Sequence, residues 1–215
     1  MATINERLME AARRGYEAEL KALLMDSGCD ALATDSRGWT ALMHAAYGGH
    51  EACVRIILPI SNARDKGEDG QTALMWAAGY GYVDCVRLLL PMSDALAASA
   101  YDLTALMLAA DHGHEACVRL LLPVSDALAT DCNGWTALMY AACNGHEGCV
   151  RILLLASDAL GEDKDGKTAS SWASSVGHKS LAQFINAYVV AQSEQAAIEA
   201  AASTGAPSKK SKLRV

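Results

Sequence analysis

The residues Gly-Trp-Thr-Ala-Leu-Met-His-Ala-Ala, at positions 38–46, decide the fold because almost the same residues return along the chain. Gly-Gln-Thr-Ala-Leu-Met-Trp-Ala-Ala occupies positions 70–78, and Gly-Trp-Thr-Ala-Leu-Met-Tyr-Ala-Ala occupies positions 134–142. The threonine of this segment recurs every 32 residues, at Thr40, Thr72, Thr104, Thr136 and Thr168. Five copies in register identify a tandem repeat, and such a repeat sets the architecture of the whole chain.

Each repeating unit predicts two short helices. Thr40 precedes the apolar run, where its hydroxyl can accept a hydrogen bond from the unpaired amides of the first turn. Gly49 then stands where a left-handed residue would end the first helix. The apolar residues of 54–58 have the spacing of a second helix. Since proline lacks the amide hydrogen and crowds the preceding turn, this helix is expected to stop at Pro59, Pro91 and Pro123 in successive units.

One helix pair of this size buries too little apolar surface to be stable alone. Neighbouring pairs must therefore stack, and small residues such as Ala45 and Ala46 allow their helices to approach closely. The composition agrees, because 52% of the residues are hydrophobic and only one is Phe, which favours a core of Ala, Leu, Val, Met and Ile. The sequence thus predicts an all-α array whose long, ridged surface serves recognition.

These units resemble the ankyrin repeat, whose pattern is Gly-x-Thr-Pro-Leu-His-x-Ala-Ala followed by Gly-His and an apolar Leu-Leu run. The resemblance covers about residues 4–188, closely in four units and with degeneration in the last. It implies an all-α ankyrin-repeat solenoid, in which about six stacked helix-turn-helix units are joined by hairpin-like loops. It also implies that the chain binds other proteins.

The chain departs from the family pattern within Thr-Pro-Leu-His, where Ala and Met replace Pro and His, as at Ala41 and Met43. The hydrogen bonds that the family's Thr and His form between repeats are therefore absent, and we expect methionine packing in their place. The period is 32 residues here, against 33 in the family. This difference concerns the loops between units and leaves the stacking intact.

The repeat register divides the chain into predicted units. Four ankyrin repeats cover 35–66, 67–98, 99–130 and 131–162, between capping repeats at 1–34 and 163–188. An Ala-rich helical extension is expected at 189–202, and a disordered basic tail at 203–215. Exposed charges on the first unit suit the solvent-facing end of an array.

Composition and charge disfavour several function classes. The net charge of −7 argues against a nucleic-acid partner, which needs clustered positive charge. No apolar run of about 18 residues appears, and the first residues lack an apolar signal core, so we expect a cytoplasmic protein without membrane insertion, with nuclear entry left open. The sequence has no phosphate-binding glycine loop and no nucleophile with a plausible base. We therefore expect no enzyme activity, cofactor or small-molecule substrate, and a monomer whose partner is another protein.

Cysteines and histidines recur at equivalent positions of successive units, and each set could indicate a metal or redox site. We call these sets the cysteine column and the histidine column. Packed helices lie roughly 8–10 Å apart, whereas a disulfide needs Cα atoms within about 7 Å, so the regularly spaced cysteines are interpreted as small buried residues: Cys53, Cys85, Cys117 and Cys149. The histidines after the helix-ending glycines are expected to make polar contacts near the turn: His50, His114, His146 and His178. A metal site is not expected, because His112 and His114 are poorly placed to converge.

The positions that differ between otherwise similar units predict the partner-binding surface. In the ankyrin family these positions are the hairpin tips, the residue before the threonine and the residues around Ala-Ala. Carried over to this chain, they are Arg37, Trp39, His44, Tyr47, Asp69, Gln71, Trp76, Tyr80, Tyr101, Leu103, Leu108, Asp111, His112, Asn133, Trp135, Tyr140, Cys143 and Asn144.

Aromatic residues are concentrated at these positions, and such residues often supply most of the energy of an interface. Trp39 and Trp135 are expected to be exposed. For Trp76 and Trp172, a surface role and simple packing between first helices are equally consistent with the sequence, and both alternatives stay open.

The predicted function is that of a scaffold or adaptor, binding a partner protein on the concave face and the hairpin tips. An alternative is an inhibitor or targeting subunit of an enzyme, such as a kinase, phosphatase or protease complex. A third is catalysis by a site near Asp111 and His112, which stoichiometric metal in the purified protein would support.

Overall fold

A computed structural model describes residues 2–203 of the 215-residue chain. The described part is helical, with no β-strand apart from an isolated bridge between Thr34 and Thr40. Its helices are α1 (Ile4–Arg14), α2 (Glu17–Leu24), α3 (Ala41–Tyr47), α4 (Glu51–Ile57), α5 (Ala73–Gly79), α6 (Val83–Leu89), α7 (Ala105–Asp111), α8 (Glu115–Leu121), α9 (Ala137–Cys143), α10 (Glu147–Leu153), α11 (Ala169–Ser175) and α12 (Lys179–Ser203). Short 3₁₀ turns follow α4 and α8, at Leu58–Ile60 and Leu122–Val124.

The helices form two layers of a solenoid, as the sequence predicts. The first-helix layer runs α1, α3, α5, α7, α9 and α11, each helix packed against the next. The second-helix layer runs α2, α4, α6, α8 and α10 in the same way, and α12 packs against α11. The predicted basic tail lies beyond the described residues, except for Ser203. Within residues 2–203, no helix is both long and apolar enough to cross a membrane.

The start and end of each first helix follow from the repeated threonine and glycine. Thr40 Oγ1 accepts a hydrogen bond of 3.3 Å from the amide of Met43, and the same cap recurs at the other four threonines. Gly49, at φ 69°, ends α3 in the left-handed region, and equivalent glycines follow α5, α7, α9 and α11.

The core confirms the methionine packing that we expected where the chain departs from the ankyrin pattern. The methionines that replace the family's histidine are buried between first helices: Met43, Met75, Met107 and Met139. The cysteine column is buried and free, as predicted. Burial raises the pKa of Cys117 to about 11, so its thiol stays protonated at neutral pH. These side chains act as apolar packing groups.

The histidine column connects neighbouring repeats. His50 Nε2 donates to the carbonyl of Arg13 at 3.0 Å, in the preceding helix pair. His114 and His146 make the same contact with the carbonyls of Gly79 and Asp111, at 3.1 and 2.9 Å. Each bond satisfies a carbonyl at the end of a first helix.

One loop position has a non-glycine residue in the left-handed region. Gly38, Gly70, Gly134 and Gly166 have positive φ at this position, whereas the third unit has Asp102, at φ 60°. We expect Asp102→Gly to raise the free energy of unfolding by about 0.5–1 kcal/mol, because glycine removes the clash of Cβ in this conformation. Urea unfolding measures the change.

The reverse substitution at an equivalent position is the control. A Cβ on Gly70 would lie 2.7 Å from the amide nitrogen of Ala100, so Gly70→Asp is expected to destabilise the protein. If Asp102→Gly lowers stability instead, the strain assigned to Asp102 does not exist.

Candidate protein-binding surface

The hairpin tips form a continuous row along one edge of the solenoid. The amide of Glu68 donates to the carbonyl of Arg37 at 2.9 Å, and that of Ala100 donates to Asp69 at 2.9 Å. Equivalent bonds of 3.2 and 3.1 Å join Cys132 to Tyr101 and Lys164 to Asn133. Because each tip is bonded to the next, the predicted tip residues Arg37, Asp69, Tyr101 and Asn133 are held in register.

An aromatic cluster lies behind the first two tips; we call its members, Trp39, His44, Tyr47, Trp76 and Tyr80, the N-terminal aromatic cluster. The ring centroids of Trp39 and Trp76 lie 4.5 Å apart, and that of Tyr47 lies 5.5 Å from each of them. Tyr80 continues the group, with its ring 5.0 Å from that of Tyr47. The two tyrosines remain 37% and 47% exposed. The structure therefore brings five of the predicted residues into one surface group.

The expectation that Trp39 is exposed is wrong, since only 5% of its surface is accessible. Its indole lies against Gly67 of the next unit, where a Cβ would come within 2.9 Å of the ring. Trp76 packs against the Trp39 ring, and the guanidinium of Arg37 lies 4.1 Å from the centroid of Trp39. The missing side chain at position 67 leaves the space that Trp39 fills.

His44 is also buried, at 5% exposure, and is not an open contact residue. Its Nε2 lies 3.1 Å from Asp35 Oδ2. Burial lowers the pKa of His44, although Asp35 opposes this effect, so the imidazole is neutral at physiological pH. His44 supports the cluster from below.

A second aromatic group, the C-terminal aromatic cluster, consists of Trp135, Tyr140 and Trp172. Trp135 and Trp172 repeat the geometry of Trp39 and Trp76, with centroids 4.5 Å apart and ring planes at 50°. Trp135 is half-buried, so the predicted exposure holds only in part. Trp76 and Trp172 pack between units and keep part of their surface accessible. The two alternatives for these tryptophans are thus both partly met.

Loop aspartates hold these side chains in place, and the sequence reasoning missed them. Asp35, Asp131 and Asp163 each accept backbone hydrogen bonds within their own tip. The second carboxylate oxygen then accepts from the first helix: from the Tyr140 hydroxyl at 2.8 Å, and from Trp172 Nε1 at 2.7 Å. Burial raises the pKa of Tyr140, and its contact with Asp131 adds to this effect. Their repeat spacing, with Gly67 and Ser99 at the equivalent positions, was the available signal.

The second unit has no loop aspartate that could accept a hydrogen bond from its first helix. Because Gly67 replaces the aspartate, Trp76 Nε1 is buried without a hydrogen-bond partner among residues 2–203.

Trp172→Phe removes a bond to the buried Asp163, whereas Trp76→Phe removes a donor that has no acceptor. We expect Trp172→Phe to lower the free energy of unfolding by about 1–2 kcal/mol more than Trp76→Phe. Equal losses in urea titrations of the two variants would contradict this account.

The middle of the surface is less aromatic. Leu103, Leu108 and Gln71 are half-buried, while Tyr101 is exposed. Gln71, Trp76, Tyr80, Leu108 and His112 line a shallow hollow of about 180 Å³. It joins the N-terminal aromatic cluster to the third unit.

The remaining predicted residues lie at the ends of α7 and α9. Asn144 donates to Asp111 Oδ1 at 2.8 Å, which links the third and fourth units. Cys143 is half-buried, and burial raises the pKa of its thiol. His112 Nδ1 lies 3.0 Å from the Leu108 carbonyl and 3.6 Å from Asp111 Oδ2. In the described part of the chain, no three His, Cys, Asp or Glu residues are grouped as a metal site would need.

Comparisons with known proteins agree with this architecture. A family model described as "Ankyrin repeats (3 copies)" matches residues 8–98 and 93–165. Human ankyrin repeat domain-containing protein 29 is 52% identical over 48 residues, which is 22% of this chain and 16% of that protein.

A solved structure provides a longer match. One chain of the Bdellovibrio bacteriovorus predatory endopeptidase Bd0816 in complex with immunity protein Bd3460 is 27% identical to this protein. The match has a TM-score of 0.75 and covers 83% of this chain and 96% of that one. The family match covers most of the chain and agrees with the stacked, capped helix pairs, so the protein belongs to the ankyrin repeat family.

Proposed function

We propose that this chain is an adaptor or scaffold that binds a partner protein on the first-helix layer and the hairpin tips. Ankyrin repeats are typically non-catalytic modules for protein–protein interaction, which supports a binding function in general. The N-terminal aromatic cluster carries the specific proposal. Its tyrosines are accessible while its tryptophans and His44 are fixed beneath them, and rigid aromatic groups of this kind are frequent hot spots.

The surface extends from Arg37 to Asn144. The tips are joined by backbone hydrogen bonds, so a partner would meet a preorganised edge and lose little binding energy to ordering it. Tyr101, at 63% exposure, continues the aromatic surface along this edge.

Affinity capture with paired baits tests the proposal. Tyr80→Ala/Tyr101→Ala is expected to weaken binding of the captured partner at least about tenfold, since each lost hot-spot residue costs about 1 kcal/mol or more. The control is Leu96→Ala/Leu128→Ala, which removes exposed apolar side chains from the loops after the second helices. The proposal fails if both baits bind the partner equally well while their thermal unfolding matches the wild type.

A second function is favoured by the solved relative. That structure is of a predatory endopeptidase in complex with an immunity protein, so an inhibitor or targeting subunit of an enzyme is the alternative proposal for this chain. If the captured partner is an enzyme and its turnover falls on addition of this protein, the inhibitor is favoured. Unchanged turnover favours the adaptor.

A further inference from the structure

The N-terminal aromatic cluster opens into a hollow of about 470 Å³ behind the first two tips. The hollow is lined by the rings of Trp39, Tyr47, Trp76 and Tyr80, by Glu68 and Asp69 of the second tip, and by Arg37 of the first. The backbone of this tip is fixed on both sides, by the bonds to Arg37 and Ala100. Four aromatic side chains and two acidic side chains therefore line one preformed space.

Neither Glu68 nor Asp69 forms an ion pair with a cation among the described residues. The equivalent positions of the other tips are Ser-Arg at 36–37, Ala-Tyr at 100–101, Cys-Asn at 132–133 and Lys-Asp at 164–165. Paired acids thus occur only at the tip beside the largest group of rings, in a chain whose net charge is −7.

Arg37 shows how a cation meets these rings. Its guanidinium carbon lies 4.1 Å from the centroid of Trp39, within the range of a cation–π contact. Arg37 is also paired with Asp35, 3.3 Å away, which reduces its repulsion of a second cation. In the C-terminal aromatic cluster, Lys167 Nζ lies 3.8 Å from the centroid of Trp172 in the same manner. Each cluster therefore holds a cation of the chain against a tryptophan, but only the N-terminal aromatic cluster lies beside a tip with two acidic residues.

We infer that this hollow binds an arginine side chain of the protein partner. The inference rests on the proposed function and specifies the partner's chemistry. The planar guanidinium would stack on the accessible rings of Tyr47 and Tyr80 and donate hydrogen bonds to Glu68 and Asp69. Arginine suits this site because its flat, forked group stacks on aromatic rings and matches carboxylates at the same time.

The test uses the full chain and two short peptides, acetyl-Gly-Arg-Gly-amide and its citrulline counterpart, which has nearly the same shape without the charge. The indole N–H signals of all four tryptophans are followed by NMR during titration. The arginine peptide is expected to shift the Trp39 and Trp76 signals in a saturable manner. Citrulline should bind at least about fivefold more weakly, as the loss of a cation–π contact predicts.

Glu68→Gln/Asp69→Asn is the matched variant, since it keeps the shape of the tip and the acceptor for the Gln71 amide. It should weaken the arginine peptide at least about fivefold, while wild-type thermal unfolding is retained. The inference is overturned if citrulline binds as well as arginine, if the variant binds as the wild type does, or if Trp135 and Trp172 respond equally. If the wild-type chain does not bind the arginine peptide, while Tyr80→Ala/Tyr101→Ala still weakens the captured partner, the arginine site is refuted and the proposed function is retained.

Discussion

Trp39→Ala is expected to lower the free energy of unfolding by about 3–5 kcal/mol, the usual range for truncating a buried large aromatic residue. The indole is 5% exposed and contacts His44, Tyr47 and Trp76 in two adjacent units. Its removal leaves a cavity beside Gly67, and glycine has no side chain that could fill this cavity. The substitution therefore weakens an interface between repeats as well as one helix.

Trp135→Ala provides the comparison, because Trp135 has the same position three units later but is only half-buried. We expect its loss of stability to be clearly smaller than that of Trp39→Ala, since less apolar surface is removed from the interior. Urea unfolding followed by circular dichroism measures both. If Trp135→Ala proves the more destabilising, burial of the ring does not determine how much stability these substitutions remove.

The second large effect is expected for Leu121→Ala, at about 2–5 kcal/mol of lost stability. Leu121 ends α8 with no accessible surface, in the middle of the stack. Stability in a repeat array is close to a sum of terms within units and between neighbours. A cavity in the third unit therefore weakens its contacts with both adjacent units.

Leu128→Ala, a few residues along the same chain segment, is the control for Leu121→Ala. Its side chain is exposed in the following loop, so we expect a change within about 0.5 kcal/mol, as for other surface substitutions. Hydrogen exchange of the α8 amides adds a local readout, since protection should fall there first in Leu121→Ala. Unchanged protection in α8 would show that the core contact is not where the structure places it.

The sequence was sufficient for the helix ends and for the packed core. Thr40 and its equivalents fixed the start of each first helix, because an N-cap acts on the amide three residues later. The buried methionine and cysteine columns followed from their position on helices that must pack against identical neighbours. These are contacts within one unit, or contacts that recur in every unit.

Contacts between a loop and a helix, or between one tip and the next, were not predicted. The aspartates that accept hydrogen bonds from Tyr140 and Trp172 lie in a loop, nine residues before their partners in a helix. No local sequence pattern predicts such a bond. The backbone bonds between tips join residues about one period apart and carry no side-chain signature. Which candidate residues form one surface was therefore visible only in the folded chain.

By itself, then, the sequence determined the period, the helix ends, the stacked all-α architecture and the family. Only the tertiary structure decided the environment of each variable side chain, and Trp39 is the clearest example. Its exposure depends on position 67 of the next unit, where a glycine lets the ring sink between two repeats. Exposure is a property of neighbours in space, and for this ring those neighbours lie one repeat away along the chain.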